Sequence, residues 1–187
     1  MKWTCESSRR NIAPGVRHIL KYKKSGTVLD LGSGKGKHST FLAKNGFTVT
    51  AVDHEKEKLV VLKNRAKIEK VHIVTKCADI GKFRTSRKYN IVISTMVLHF
   101  LDKKQIPKVI ARIKSYTKPD GLNLISVLTD KEPKGYRPHL FKKNELRKHY
   151  LDWSILEYEE KKSKHFYCNL TGKIIRQHRA VLIAQNS

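Results

Sequence analysis

Three glycines stand at alternate positions in Gly32-Ser33-Gly34-Lys35-Gly36, directly after the apolar run Thr27-Val28-Leu29-Asp30-Leu31. Glycines placed there let a chain turn sharply off a strand and approach a ligand closely. The helical pattern that opens at Lys37 would point its free N–H groups at the same ligand. Asp53 closes the next apolar run, roughly 20 residues after the loop begins, where a carboxylate can accept both hydroxyls of a ribose. Its competing duty is to cap the helix that follows His54. A dinucleotide loop needs G-x-G-x-x-G to seat a pyrophosphate; here the spacing is G-x-G-x-G and Lys37 takes the last glycine's place. The phosphate loop G-x-x-x-x-G-K-S/T is absent. Asp79 follows a third apolar run, either as a further ligand contact at a strand's carboxyl end or as a turn acid.

The surrounding pattern supplies the elements that would hold these groups. Residues 11–24 read as a helix with Pro14 in its first turn and a stripe of Val16, Ile19 and Leu20. Strands are expected over 27–31, 48–52, 71–75, 91–94 and 122–128, with helices over 37–45, 55–67 and 103–116. Gly46 ends the second helix in the usual glycine position, and Pro119-Asp120-Gly121 reads as a turn. Strand and helix alternate, which implies an α/β fold with an open, mostly parallel, doubly wound sheet. Beyond Thr129 the pattern changes to a loop, a short helix over 142–149 and two β stretches, 153–159 and 173–184, around a turn at 169–172. These suit an antiparallel hairpin closing one sheet edge. No linker divides the chain, so one domain is expected: a helical lead over 1–26, a cofactor-binding core over 27–129 and a substrate-side segment over 130–187.

Composition narrows the setting. The 187 residues are 39% apolar, enough to bury a core. The longest nearly unbroken apolar stretch, residues 91–101, is too short to span a bilayer, so no membrane partner is expected. Cys5, Cys77 and Cys168 are odd in number and form no CxxC pair; this argues for reduced thiols in a cytoplasmic protein, against a disulfide frame and against a metal site. Forty Lys and Arg against 16 Asp and Glu give a net charge of +24, which attracts polyanions and makes nucleic acid a possible partner.

The same segments resemble class I S-adenosylmethionine-dependent methyltransferases over nearly the whole chain. Leu29-Asp30-Leu31-Gly32-Ser33-Gly34-Lys35-Gly36 is similar to their first motif and Ala51-Val52-Asp53 to their second. Cys77-Ala78-Asp79-Ile80 resembles the turn that meets adenine, and Tyr89-Asn90-Ile91-Val92-Ile93-Ser94-Thr95 the fourth-strand motif. Asn90 stands where that family usually carries a structural Asp. Three later stretches resemble the tellurite-resistance methyltransferases: Ser94-Thr95-Met96-Val97-Leu98-His99-Phe100-Leu101, Thr117-Lys118-Pro119-Asp120-Gly121-Leu122-Asn123-Leu124-Ile125, and Phe141-Lys142-Lys143-Asn144-Glu145-Leu146-Arg147-Lys148-His149-Tyr150. His165 falls near a histidine of that family's closing β segment, with Phe166 in place of the family's arginine.

The resemblance implies S-adenosyl-L-methionine as cofactor, held by Asp30, Gly32, Ser33, Gly34, Gly36, Asp53, His54, Asp79, Ile80, Ser94 and Thr95. It places Arg9, Arg137 and His165 on the substrate side, with Arg10 and Arg179 as further candidates. No catalytic base is assigned, because holding donor and acceptor in line can supply much of the acceleration. His99, beside Phe100 and Leu101, reads as a core residue. Methyl transfer to a small acceptor, with an anion among the options, is the leading expectation. An RNA acceptor, suggested by the charge, and a non-catalytic nucleic-acid-binding module are the alternatives. The oligomeric state is left open.

Overall fold

The apolar run before the glycine loop is the middle of a sheet. In the computed structural model, which describes residues 12–132, 137–168 and 174–186, helix α1 (Pro14–Tyr22) leads into β1 (Gly26–Leu31), α2 (Lys37–Lys44), β2 (Phe47–Asp53), α3 (Lys56–Ile68) and β3 (Ile73–Cys77). Then come β4 (Tyr89–Thr95), a single 3₁₀ turn (Leu98–Phe100), α4 (Ile106–Ser115), β5 (Thr117–Leu128), α5 (Glu145–Lys148), β6 (Ser154–Cys168) and β7 (Ile174–Gln185). The strands form one sheet in the order β3-β2-β1-β4-β5-β7-β6. The first five are parallel, and β7 pairs antiparallel with both β5 and β6. This is the expected open α/β sheet with an antiparallel C-terminal hairpin.

Alternation along the central strands divides the core in two, as a sheet covered on both faces requires. Val28, Val49, Ala51, Ile91, Ile93 and Leu124 pack beneath α1, α2 and α3. Leu29, Leu31, Val52, Val92, Ile125 and Val127 pack on the other face with α4, Phe141 and Tyr150. The parallel strands reverse their spatial order between β1 and β4, which opens a crevice at their carboxyl ends. Asp30, Asp53 and Thr95 all stand at that edge.

Most expected elements lie within three residues of their observed positions, and three differ for a reason visible in the structure. Pro119-Asp120-Gly121 lies within β5 rather than before it. The register jumps from Tyr89↔Thr117 to Ile91↔Leu122, so the extra residues bulge out of the ladder. Asp120 takes a positive φ of 57° there, and its N–H donates to the Asn186 carbonyl while the Asn186 N–H donates to that of Gly121. Those distant partners keep a turn-like sequence in the sheet. The helix expected over 142–149 shrinks to Glu145–Lys148 because Asn144 is left-handed at φ 60°, its N–H donated to Glu160 Oε1 at 2.7 Å. Strand β6 runs well past residue 159, held by the long ladder with β7. The turn expected at 169–172 lies outside the described residues.

Asn90 acts only as an acceptor through its side chain. Its Oδ1 takes the Thr27 N–H and the Thr27 hydroxyl, both at 3.0 Å, and so ties the start of β1 to β4. A carboxylate would serve equally, which explains why amide can replace acid at this position. We therefore expect Asn90→Asp to leave stability nearly unchanged. Asn90→Ala, which orphans the Thr27 donors, should cost about 1–3 kcal/mol in urea unfolding.

Candidate functional site

The loop after β1 closes on the tip of β2. Gly32 and Ser33 both donate their N–H groups to the Val52 carbonyl, at 2.8 and 3.0 Å. The Gly34 N–H donates to Asp53 Oδ2 at 2.7 Å, and the Glu55 N–H donates to Oδ1 of the same carboxylate at 3.0 Å. Asp53 is thus both a brace for the glycine loop and a local cap for the following turn. Each carboxylate oxygen has a second lone pair available to a ligand hydroxyl.

The three loop glycines have different reasons to be there. All three have positive φ, a conformation that costs any other residue. A Cβ at Gly32 would sit 2.3 Å from Val97 Cγ2, and one at Gly36 2.0 Å from Leu62 Cδ1. A Cβ at Gly34 would meet nothing within 4 Å. Gly32 and Gly36 therefore fit the loop to the protein, whereas Gly34 faces open space.

Asp30 lies beneath that loop, only 1% exposed. Ser39 donates its hydroxyl to Asp30 Oδ2 at 2.5 Å, while Oδ1 has no hydrogen-bond partner, and the same holds for the buried hydroxyls of Ser33 and Ser94. Burial raises the Asp30 carboxyl to about 7, against the Ser39 bond, with the nearby Asp53 charge adding to the rise. A buried acid with a free oxygen suits a cationic group on a ligand.

The remaining expected residues are arranged unevenly around this centre. Thr95, at the tip of β4, shares a hydrogen bond of 3.0 Å with His38 Nδ1. Asp79 is exposed, and its Oδ1 accepts the Lys82 N–H at 3.1 Å, as a turn acid does. Ile80 packs against the core, and the His54 side chain is exposed. Of the residues expected on the acceptor side, Arg179 is buried at 8% exposure, at the β7 position that pairs with Leu128. Arg137 is near enough to His99 to lower its pKa, although burial is the larger cause, and together they bring it to about 3. His99 is a core residue, as the sequence suggested. Arg9 and Arg10 lie outside the described residues, as does the side chain of His165.

Two residues of the site carry little sequence signal. His38 is enclosed near Lys37 and Arg179, and burial followed by those two charges lowers it to about 3. Its only clue is its place as the second residue of the helix after the glycine loop. Met96 leaves β4 with a positive φ of 61°, which no sequence rule assigns to methionine.

Comparison with known proteins agrees with this geometry. The profile of the tellurite resistance protein TehB matches residues 8–183. The chain belongs to the TehB family. It is 32% identical over 161 residues to a probable S-adenosyl-L-methionine-dependent methyltransferase TehB from Haemophilus influenzae, covering 84% of this chain and 56% of the relative. The crystal structure of TehB from Haemophilus influenzae superposes with a TM-score of 0.86 at 30% identity, over 94% of this chain and 63% of that one. The chain therefore spans roughly half to two thirds of the length of these relatives. The N-methyltransferase NodS from Bradyrhizobium japonicum, solved with S-adenosyl-L-homocysteine, shares the fold at a TM-score of 0.75 and 15% identity, over 95% of this chain and 90% of that one.

The residues present fit S-adenosylmethionine. Asp53 offers acceptors for a ribose diol, Gly34 leaves room beside it, and the unpaired Asp30 oxygen offers an acceptor for an ammonium. Because the folded carboxyl of Asp30 titrates near 7 and the unfolded one near 3.8, only the folded state keeps this proton between those values. That contribution to stability is full below the lower value and is lost as pH rises to the upper one. Asp30→Asn keeps an acceptor for Ser39 and cannot ionise. Thermal melting across pH 4–8 should show the variant gaining on the wild type as pH rises; a constant gap would refute the buried-acid assignment.

Proposed function

We propose that this chain transfers a methyl group from S-adenosylmethionine to a small, anionic acceptor, a soft chalcogen oxyanion such as selenite or tellurite. Its membership of the TehB family supports the reaction class. The observation that carries the acceptor class is Arg179. This buried cation lies close enough to His38 to depress its pKa, and His38 bonds Thr95 at the tip of β4. Positive charge thus borders the carboxyl edge of the sheet opposite the acids Asp30 and Asp53.

When bound, S-adenosylmethionine supplies a methyl group on a cationic sulfur that a nucleophile can take by in-line displacement. Asp53 and the Gly34 backbone position the nucleoside end, and the Asp30 carboxylate balances positive charge. Arg179 draws an anion toward the same edge and orients it; Arg137, beside His99, can assist. His38 and His99 both titrate near 3, so at neutral pH they are uncharged and neither donates a proton as an imidazolium. An anion that already carries a lone pair needs no protein base, and placement supplies the rate.

A cytoplasmic location is part of the proposal. The exposed thiol of Cys77 is free, which fits a reducing compartment. No helix among the described residues is long and apolar enough to cross a membrane.

Arg179→Gln should reduce kcat/KM for selenite or tellurite about 10- to 100-fold, the worth of one charge-assisted hydrogen bond. Its affinity for S-adenosylmethionine should stay within about twofold, and Arg179→Lys should recover part of the rate. Transfer of labelled methyl into total RNA, with none to either oxyanion, would contradict the small-acceptor reading.

A further inference from the structure

A cavity lies among helices α1, α2 and α3 on one face of the sheet. It has a volume of about 330 Å³ and is lined by Arg17 of α1, Lys37, Thr40 and Lys44 of α2, and Arg65 and Glu69 at the end of α3. Positions 37, 40 and 44 recur at helical spacing, so α2 presents them on one side. Four cations and one acid meet here. The acid is already engaged, since Lys44 Nζ lies 2.5 Å from Glu69 Oε2. Lys37 and Arg65 have no carboxylate within 4 Å among the described residues. Burial, Arg179 and Arg65 all press the Lys37 ammonium toward its neutral form, so like charges lie close together here.

Thr40 gives an independent sign of a ligand. The residue is 5% exposed, and its hydroxyl has no hydrogen-bond partner. A threonine inside a helix commonly donates to the carbonyl one turn back; here Gly36 O receives the Thr40 N–H and the hydroxyl is left over. A buried hydroxyl without a partner carries a desolvation cost that a bound acceptor would remove.

We propose that this cavity is a binding site for a phosphate group, with Lys37 standing between it and the His38 and Arg179 cluster. Lys37 and Arg65 supply the charge, and the Thr40 hydroxyl donates to a phosphate oxygen. Arg suits the planar, two-point contact such an oxyanion offers, and Lys acts as a point charge. The ligand is either a free phosphate or the phosphodiester of a nucleic acid, and the two share this chemistry.

The test uses the full chain and two probes: inorganic phosphate, followed by calorimetry, and a fluorescent oligouridylate, followed by anisotropy. Thermal melting confirms that each variant folds. Lys37→Gln with Arg65→Gln should weaken oligouridylate binding at least about tenfold at low salt and reduce the salt slope by about 1.4, the release expected for two single-strand contacts. Thr40→Val, which removes no charge, should weaken phosphate binding about three- to tenfold. As a charge control, Lys103→Gln with Lys104→Gln removes two exposed lysines elsewhere and should change either affinity less than about twofold. Losses with both probes assign a general phosphate site, and loss with the oligonucleotide alone assigns the nucleic-acid backbone; each supports the site. Equal losses in the control, or none in the cavity variants, would overturn it.

Discussion

The Asp53 carboxylate joins the two parts of the structure that make the site. One oxygen holds the Gly34 N–H and the other the Glu55 N–H, so the glycine loop, the tip of β2 and the entry to α3 share one acceptor group. With the two N–H groups donated to Val52, this fixes a loop of left-handed glycines that would otherwise have few bonds of its own. Each Asp53 oxygen keeps a further lone pair beyond these bonds. The brace leaves room for a ligand-binding role on the same group, whereas the helix that follows has Glu55 at its N-terminal boundary and no side-chain cap.

Charge is divided across the carboxyl edge of the sheet. On one side lie Asp30 and Asp53, and burial, helped by the Asp53 charge, lets Asp30 retain its proton to about 7. On the other lie Lys37 and Arg179, which add to burial in lowering His38 to about 3. The division suits a reaction that joins a cationic donor to an anionic acceptor. Within a protein of net charge +24, the acidic pair is the local exception, and its burial raises the energetic cost of leaving it unliganded.

The features legible in the sequence were those whose causes are local. From Val28 to Asp53, strand, loop, helix and strand follow from glycine placement and apolar runs, and the structure has them in that order. The β5 bulge was not legible because its hydrogen bonds go to Asn186, far along the chain. Asp79 could be read as ligand or turn acid; its carboxylate serves its own turn in the described structure. The meeting of His38, Thr95 and Arg179 depends on three separate elements and on β7 returning beside β5. Composition did expose the cations, but their gathering between helices α1, α2 and α3 is a result of packing.

Calorimetric titration with S-adenosylmethionine of the wild type and of Asp53→Ala tests the account most directly. The wild type should bind one equivalent. The variant, losing both the loop brace and the ribose acceptors, should bind at least about tenfold more weakly, as loss of hydrogen bonds to a charged group implies. No binding by the wild type, or equal affinity in the two, would contradict the assignment of this loop and carboxylate as the cofactor site.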